Sequence, residues 1–291
     1  MTAPGLSVVL VPLGGVRAVR DAAAAIATAC AGVTWELIVP VPPRLRPALT
    51  DTSGFPPGTS FIPADDDNPW VLRALAVRAA QAPVVVTFED HARPVTGYGA
   101  QLLAAHQQPH AAIGGVVAKS GSDTSTGWAM YFLDYGRYIP PQHAGPREYL
   151  TACNVSYKTA ALAAVRDAWS HDMHETTVHM ALRARGETLW LDPALVVLQQ
   201  RDQSFGEAVA EVRRHGEAFG RDLARHLPAS RRSVRVLASP LVPVVQLLRA
   251  ASHLRRAPHL LPRFVLAFPA LVALAVSWGR GEAAGLWSGR P

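Results

Sequence analysis

The first part of the chain alternates short apolar runs rich in Val with Ala-rich stretches, and this alternation constrains the fold more than any other feature. Residues 7–12 (SVVLVP), 35–41 (WELIVPV) and 84–88 (VVVTF) are predominantly apolar, the pattern of strands buried on both faces. Residues 17–31 and 69–81 read as helices. Gly32 stops the first, and Asn68 is placed to cap the second, with Pro69 at its first helical position. Residues 60–63 read as a further strand, reached through a loop at 43–60 rich in Pro, Gly, Thr and Ser. Strand followed by helix, repeated, predicts an α/β fold with a mostly parallel sheet between helices. Ligands bind such sheets beyond the carboxyl ends of the strands.

Further along, residues 97–107 read as a helix and 112–118 as a strand. The segment 120–150 is aromatic-rich and reads as irregular. Helices at 159–169 and 176–185, short strands at 188–192 and 195–199, and an amphipathic helix at 204–225 follow. Cys30 and Cys153 form neither a ligand cluster nor a disulfide framework, which suits a reducing compartment. The first twelve residues lack the basic and apolar regions of a signal peptide.

Charge divides the chain unevenly. The net charge is +6, and residues 233–291 hold all of it: seven Arg (235, 249, 255, 256, 263, 280, 290) against one acid, Glu282. A neutral body argues against nucleic acid as a partner, since a basic face would be expected there. The tail also carries apolar segments, 236–248, broken by Pro240 and Pro243, and 264–278, fifteen residues without a charge. A spanning helix needs about 20 apolar residues. Arg on every flank suits an anionic membrane surface and disfavours two ordinary spans. The expectation is two parts: a domain at 1–232 and a basic, apolar helical hairpin at 233–291 that lies in or re-enters the membrane surface.

Three places carry candidate chemistry. The strand at 84–88 runs into Glu89, Asp90 and His91. Glu89 and His91, one residue apart at a strand end, suit a divalent cation, and carboxylate with imidazole is a feasible set for Mn-like ions; a solvated acidic turn is the alternative. Asn154, between small residues, is suited to bonding a substrate or orienting a loop. Glu175, just before a helix, is a candidate general base or else a helix-start acid favoured by the dipole.

In order and spacing, SVVLVP at 7–12, WELIV at 35–39, TFEDHARP at 87–94, ACNVSYK at 152–158, and HETTVHMALRARG at 174–186 with LWLDP at 189–193 resemble the family 2 glycosyltransferases. These are inverting enzymes of the GT-A (Rossmann-like) fold, and the membrane-associated bacterial type is the nearest in kind. The likeness covers roughly residues 6–225. It implies transfer of a sugar from a nucleotide-diphospho-sugar to an acceptor hydroxyl, lipid-linked or of the cell envelope, at the cytoplasmic face of the membrane. Glu175 would be the base, lying eleven residues before Gly186, and His91 with Glu89 would hold a Mn or Mg ion. Glu89, Asp90, Asp65 and Arg78 would bind the nucleotide sugar, with Arg73 an alternative to Arg78 at the diphosphate. Asn154, Lys158, His174 and Trp128 would line the acceptor and sugar. The second strand ends at residues 39–43 without the carboxylates usual in that family. A catalytically inactive, membrane-bound binding protein is therefore the alternative function.

Overall fold

The structure is a computed structural model that describes residues 3–49 and 51–288; Arg290, counted in the tail's charge, lies outside them. Strand β1 (Leu6–Val11) leads to helix α1 (Val16–Ala29), and β2 (Trp35–Val41) to β3 (Ser60–Pro63). Helix α2 (Pro69–Ala79) then precedes β4 (Val84–Glu89). As the sequence indicates, Asn68 caps α2: its side chain accepts from the Trp70 N–H, and Pro69 opens the helix. Strands β1, β2, β3 and β4 pair in parallel, with Val11 beside Glu89 at the carboxyl end. β1 is buried along its whole length, which is why its sequence shows no polar alternation.

The chain continues through β5 (Ala92–Pro94), α3 (Tyr98–Ala105), β6 (Ala112–Ser120), α4 (Ser125–Tyr135), β7 (Gly145–Pro146) and β8 (Val155–Lys158). Then come α5 (Thr159–Ala163), α6 (Glu175–Ala184) and β9 (Leu189–Gln200). Among the described residues the sheet has nine strands, in the order β3-β2-β1-β4-β8-β6-β9-β5, with β7 on β9. It is mixed rather than mostly parallel, because β8 runs antiparallel to both β4 and β6. The chain enters β8 from the carboxyl end of β4, where Thr87 Oγ1 donates to the Ala152 carbonyl at 3.0 Å.

Two local expectations change. Residues 125–135, expected to be irregular, form α4, because Trp128, Tyr131, Phe132 and Tyr135 recur at helical spacing and pack ring to ring. The two short strands at 188–199 are one strand, β9, since Pro193 falls between the residues paired with β7 and those paired with β5.

The described chain divides into two compact units: one of residues 1–118 and 142–200, the other of 119–141 and 201–291. The first holds most of the sheet. The second holds α4, α7 (Phe205–His226), α8 (Ala229–Leu237), α9 (Val242–His253) and α10 (Leu261–Ser288). Within this helical unit, which runs through residues 232 and 233, α7 packs along α10. The contact is close: a Cβ on Gly216 or Gly220 of α7 would lie 2.4 or 2.2 Å from the carbonyl oxygens of Trp278 or Glu282. A Cβ on Gly281 or Gly285 of α10 would lie 2.2 or 2.1 Å from those of Arg213 or Glu217. Only glycine allows two helices to meet backbone to backbone in this way. Pro269 sits within α10 at an exposed position, and the helix continues through it.

Candidate active site

The carboxyl end of β4 is built around the turn that follows β1. Asp90 Oδ2 accepts from the amides of Leu13 at 2.9 Å and Gly14 at 2.7 Å. A Cβ on Gly14 would stand 3.3 Å from that same oxygen. The carbonyls of the turn are held from the other side. Arg44 donates to Gly14 O at 2.7 Å and to Pro12 O at 2.9 Å, and lies 3.4 Å from Asp67. Asp90 thus fixes the β1–α1 turn through one carboxylate oxygen.

Beside it, Glu89 and His91 converge, with Oε2 and Nε2 3.4 Å apart. Both side chains are largely shielded from water, at 14% and 6% exposed. The residue that organises the cluster is Arg73 on α2, only 2% exposed. Its Nη2 donates to Glu89 Oε1 at 3.0 Å and its Nη1 to the Met173 carbonyl at 3.1 Å, and Nη1 lies 3.6 Å from Glu175 Oε2. One guanidinium therefore ties the end of β4 to the start of α6. A fork of fixed donors is suited to this, and a buried charge requires such partners.

Glu175 is the first residue of α6, where the helix dipole favours a carboxylate. Burial acts to raise its pKa, but the charges of His174 and Arg73 outweigh burial, and the carboxyl sits below its ordinary range. Its Oε2 is shielded from solvent and accepts no hydrogen bond. His174 caps the helix, Nδ1 accepting from the Thr176 amide at 3.3 Å, and its ring lies 4.4 Å from that of Trp70 on α2.

No protein-family model and no curated protein matches this chain.

The remaining candidates do not join this cluster. Asn154 is fully buried and holds the sheet: it accepts from Tyr98 OH at 2.6 Å and donates to the carbonyls of Val116 at 2.9 Å and Leu195 at 3.0 Å. Those bonds tie it to α3, β6 and β9. Lys158 pairs with Val84, at the opposite end of β4 from Glu89, about 16 Å away at strand spacing. Its ammonium donates to Gln108 O. Arg78 donates to Ser170 O at 2.6 Å and faces Thr159, Leu162 and Trp169. Asp65 is fully exposed and pairs with Arg46. Trp128 belongs to the helical unit, where its indole N–H bonds Asp123 and its ring lies under Lys119 and Arg263. The sequence signal for Arg73 was a lone charge on the buried face of α2, among Leu72, Ala74 and Ala76.

Among the described residues, no group of three or more His, Cys, Asp or Glu stands together as a metal cage. Glu89 and His91 form a two-donor set of carboxylate oxygen and imidazole nitrogen. That set fits an ion of the Mn or Mg kind, which is commonly held by one or two side chains, with substrate phosphates completing its shell.

Proposed function

We propose that the sheet-bearing unit is a GT-A glycosyltransferase of the family 2 type. It would move a sugar from a nucleotide-diphospho-sugar to an acceptor hydroxyl with inversion. The observation that carries this reading is the Arg73 bridge, which gathers Glu89 and Glu175 from two separate motifs at one strand end. Glu175 Oε2, buried and accepting no hydrogen bond, is suited to take the proton of the attacking hydroxyl. Arg73 helps keep that carboxylate charged, so it is a base across the neutral range. The Trp70–His174 contact and the Arg73–Met173 bond hold the start of α6 against α2, which fixes the direction from which the base acts. A Mn or Mg ion held by Glu89 and His91 would supply neutralisation of the departing diphosphate. The acceptor is a lipid-linked or cell-envelope hydroxyl at the cytoplasmic face of the membrane.

The test is release of nucleoside diphosphate from a panel of nucleotide sugars with Mn²⁺, for the wild type and Glu175→Gln. Turnover by the wild type and a loss of 100-fold or more in the variant, on the order expected for a general base, would support the reading. No turnover together with no binding of UDP or GDP would overturn it. Nucleotide binding without turnover would instead favour the inactive binding protein, a reading supported by the absence of a carboxylate where β2 ends at Val41.

A further inference from the structure

The large apolar side chains left exposed are concentrated in one region. Among the described residues, all of them except Met180 and Phe205 lie between Val234 and Trp287. On α8, α9 and the turn between them they are Val234, Leu237, Leu241, Val244, Val245 and Leu248. Their spacing keeps one helical stripe running through the bend of 45° between the two helices. On the first turns of α10, Leu261, Val265, Leu266 and Phe268 are exposed, while Phe264, Ala267 and Leu271 are buried. The same region exposes Arg231, Arg249, Arg255 and Arg256, together with Arg263, which pairs with Asp123 at 2.6 Å. Its one acid, Glu282, is 1% exposed and bonded to Arg235 at 2.8 Å. A surface that is apolar and cationic, with no exposed acid between 229 and 288, complements an anionic lipid surface.

Only part of α10 is free to meet lipid. By length and composition, residues 258–288 qualify as a membrane span. Beyond Leu271, however, one face of the helix is packed against α7, while Arg280, Ala284 and Trp287 stay exposed. Ser277 Oγ donates to Val209 O, the Trp278 ring lies against Phe219, and Gly281 and Gly285 meet the backbone of α7. Helix α7 is strongly charged, with Glu207, Glu211, Arg213, Arg214, Glu217 and Arg221 along it. A bilayer interior would have to take in those charges to surround α10, at several kcal/mol for each.

We propose that α8, α9 and the first turns of α10 form a monotopic docking face for an anionic bilayer, and that α10 does not cross it. The face enters one leaflet with its apolar stripes, and the arginines beside them pair with lipid phosphates. The inference does not depend on sugar transfer, and its test needs no nucleotide sugar.

The experiment is co-sedimentation of the full chain with phosphatidylcholine vesicles, with and without phosphatidylglycerol. Binding should require the anionic lipid, weaken with salt and be reversed by alkaline carbonate. Leu241→Glu with Leu248→Glu should abolish it. Arg249→Gln with Arg255→Gln and Arg256→Gln should weaken it roughly 100-fold at low salt, given the usual contribution of each basic residue near such a surface. All these side chains are solvent-exposed, and unchanged melting curves would show that the variants fold. Three outcomes would overturn the proposal: no vesicle binding by the wild type, binding indifferent to both sets of substitutions, or carbonate-resistant insertion with the end of α10 protected from protease by the bilayer. A stable dimer lost with Leu241→Glu, without vesicle binding, would assign the face to a second copy instead.

Discussion

Arg73 Nη1 stands 3.6 Å from Glu175 Oε2, and Nη2 of the same guanidinium donates to Glu89 Oε1 at 3.0 Å. The pair is more than a local ion pair, because it connects the strand whose end bears Glu89 and His91 with the helix that presents Glu175.

Removing Arg73 leaves carboxylates without their cation in a shielded site. Arg73→Met should destabilise the protein by roughly 3–5 kcal/mol, the usual cost of breaking a buried pair from one side. Adding Glu89→Gln should recover part of that loss, because the uncompensated charge is gone. Urea unfolding of the two single variants and the double variant would measure the coupling, and strictly additive losses would refute the bridge.

The charge state of Glu175 predicts a pH profile. Its carboxyl titrates below the ordinary value of 4.5, pulled down by His174 and Arg73 against burial. A base must be deprotonated, so the limb of kcat/KM that belongs to Glu175 should lie below pH 4.5. Arg73→Lys keeps a positive charge and should leave the limb nearly in place. Arg73→Met should move it upward. A limb identical in all three proteins would contradict the assignment of Glu175.

Two buried histidines set the acid stability of the sheet-bearing unit. His106 and His179 are each held to about 4 from an ordinary 6.5, by burial above all. Each is neutral in the folded state and binds a proton more readily when unfolded. Their contribution is complete above pH 6.5 and is lost as pH falls towards 4, up to about 3 kcal/mol each at the usual ~1.4 kcal/mol per unit. His106 bonds Ser156 at 2.7 Å and His179 bonds Tyr157 at 3.0 Å, so substitution at either costs a hydrogen bond at neutral pH. In His106→Gln the slope of stability against pH between 6.5 and 4 should flatten. A slope equal to the wild type's would show that His106 is protonated in the fold.

The two glycine pairs of the helical unit should be sharply intolerant. Gly281→Val or Gly285→Val places carbon against a carbonyl of α7, and should cost about 1–3 kcal/mol or more. Gly206, in the first turn of α7, has open space at the same position. Gly206→Ala should therefore stabilise by about 0.5–1 kcal/mol through helix propensity. Thermal melts of both kinds of variant would check the contrast, which equal effects would contradict.

Much of the framework was legible because it is local. The Val-rich runs became β1, β2 and β4 on one parallel ladder, and Asn68 with Pro69 started α2 where expected. Residues 125–135 are poor in the Ala and Leu of a strong local helix former, and α4 is held instead by the packing of Trp128, Tyr131, Phe132 and Tyr135. Asn154 and Lys158 look like neighbours in one motif, yet a strand carries them to different surroundings, one into the sheet's core and the other to its far end. Glu89 and Glu175 stand out in the sequence as carboxylates at motif ends, but Arg73 as the group between them does not, since nothing in a linear sequence says which buried charge meets which.

The sequence by itself determined the α/β class, the strand end that carries the acidic cluster, and the concentration of cationic and apolar residues near the chain's end. These follow from propensity, periodicity and composition, which act over a few residues at a time. Tertiary structure decided the antiparallel entry of β8, the union of Glu89 and Glu175 through Arg73, and the burial of the second half of α10 on α7. Each of those depends on segments far apart in the chain meeting at distances of a few ångströms, where a missing Cβ or a shared guanidinium is the deciding term.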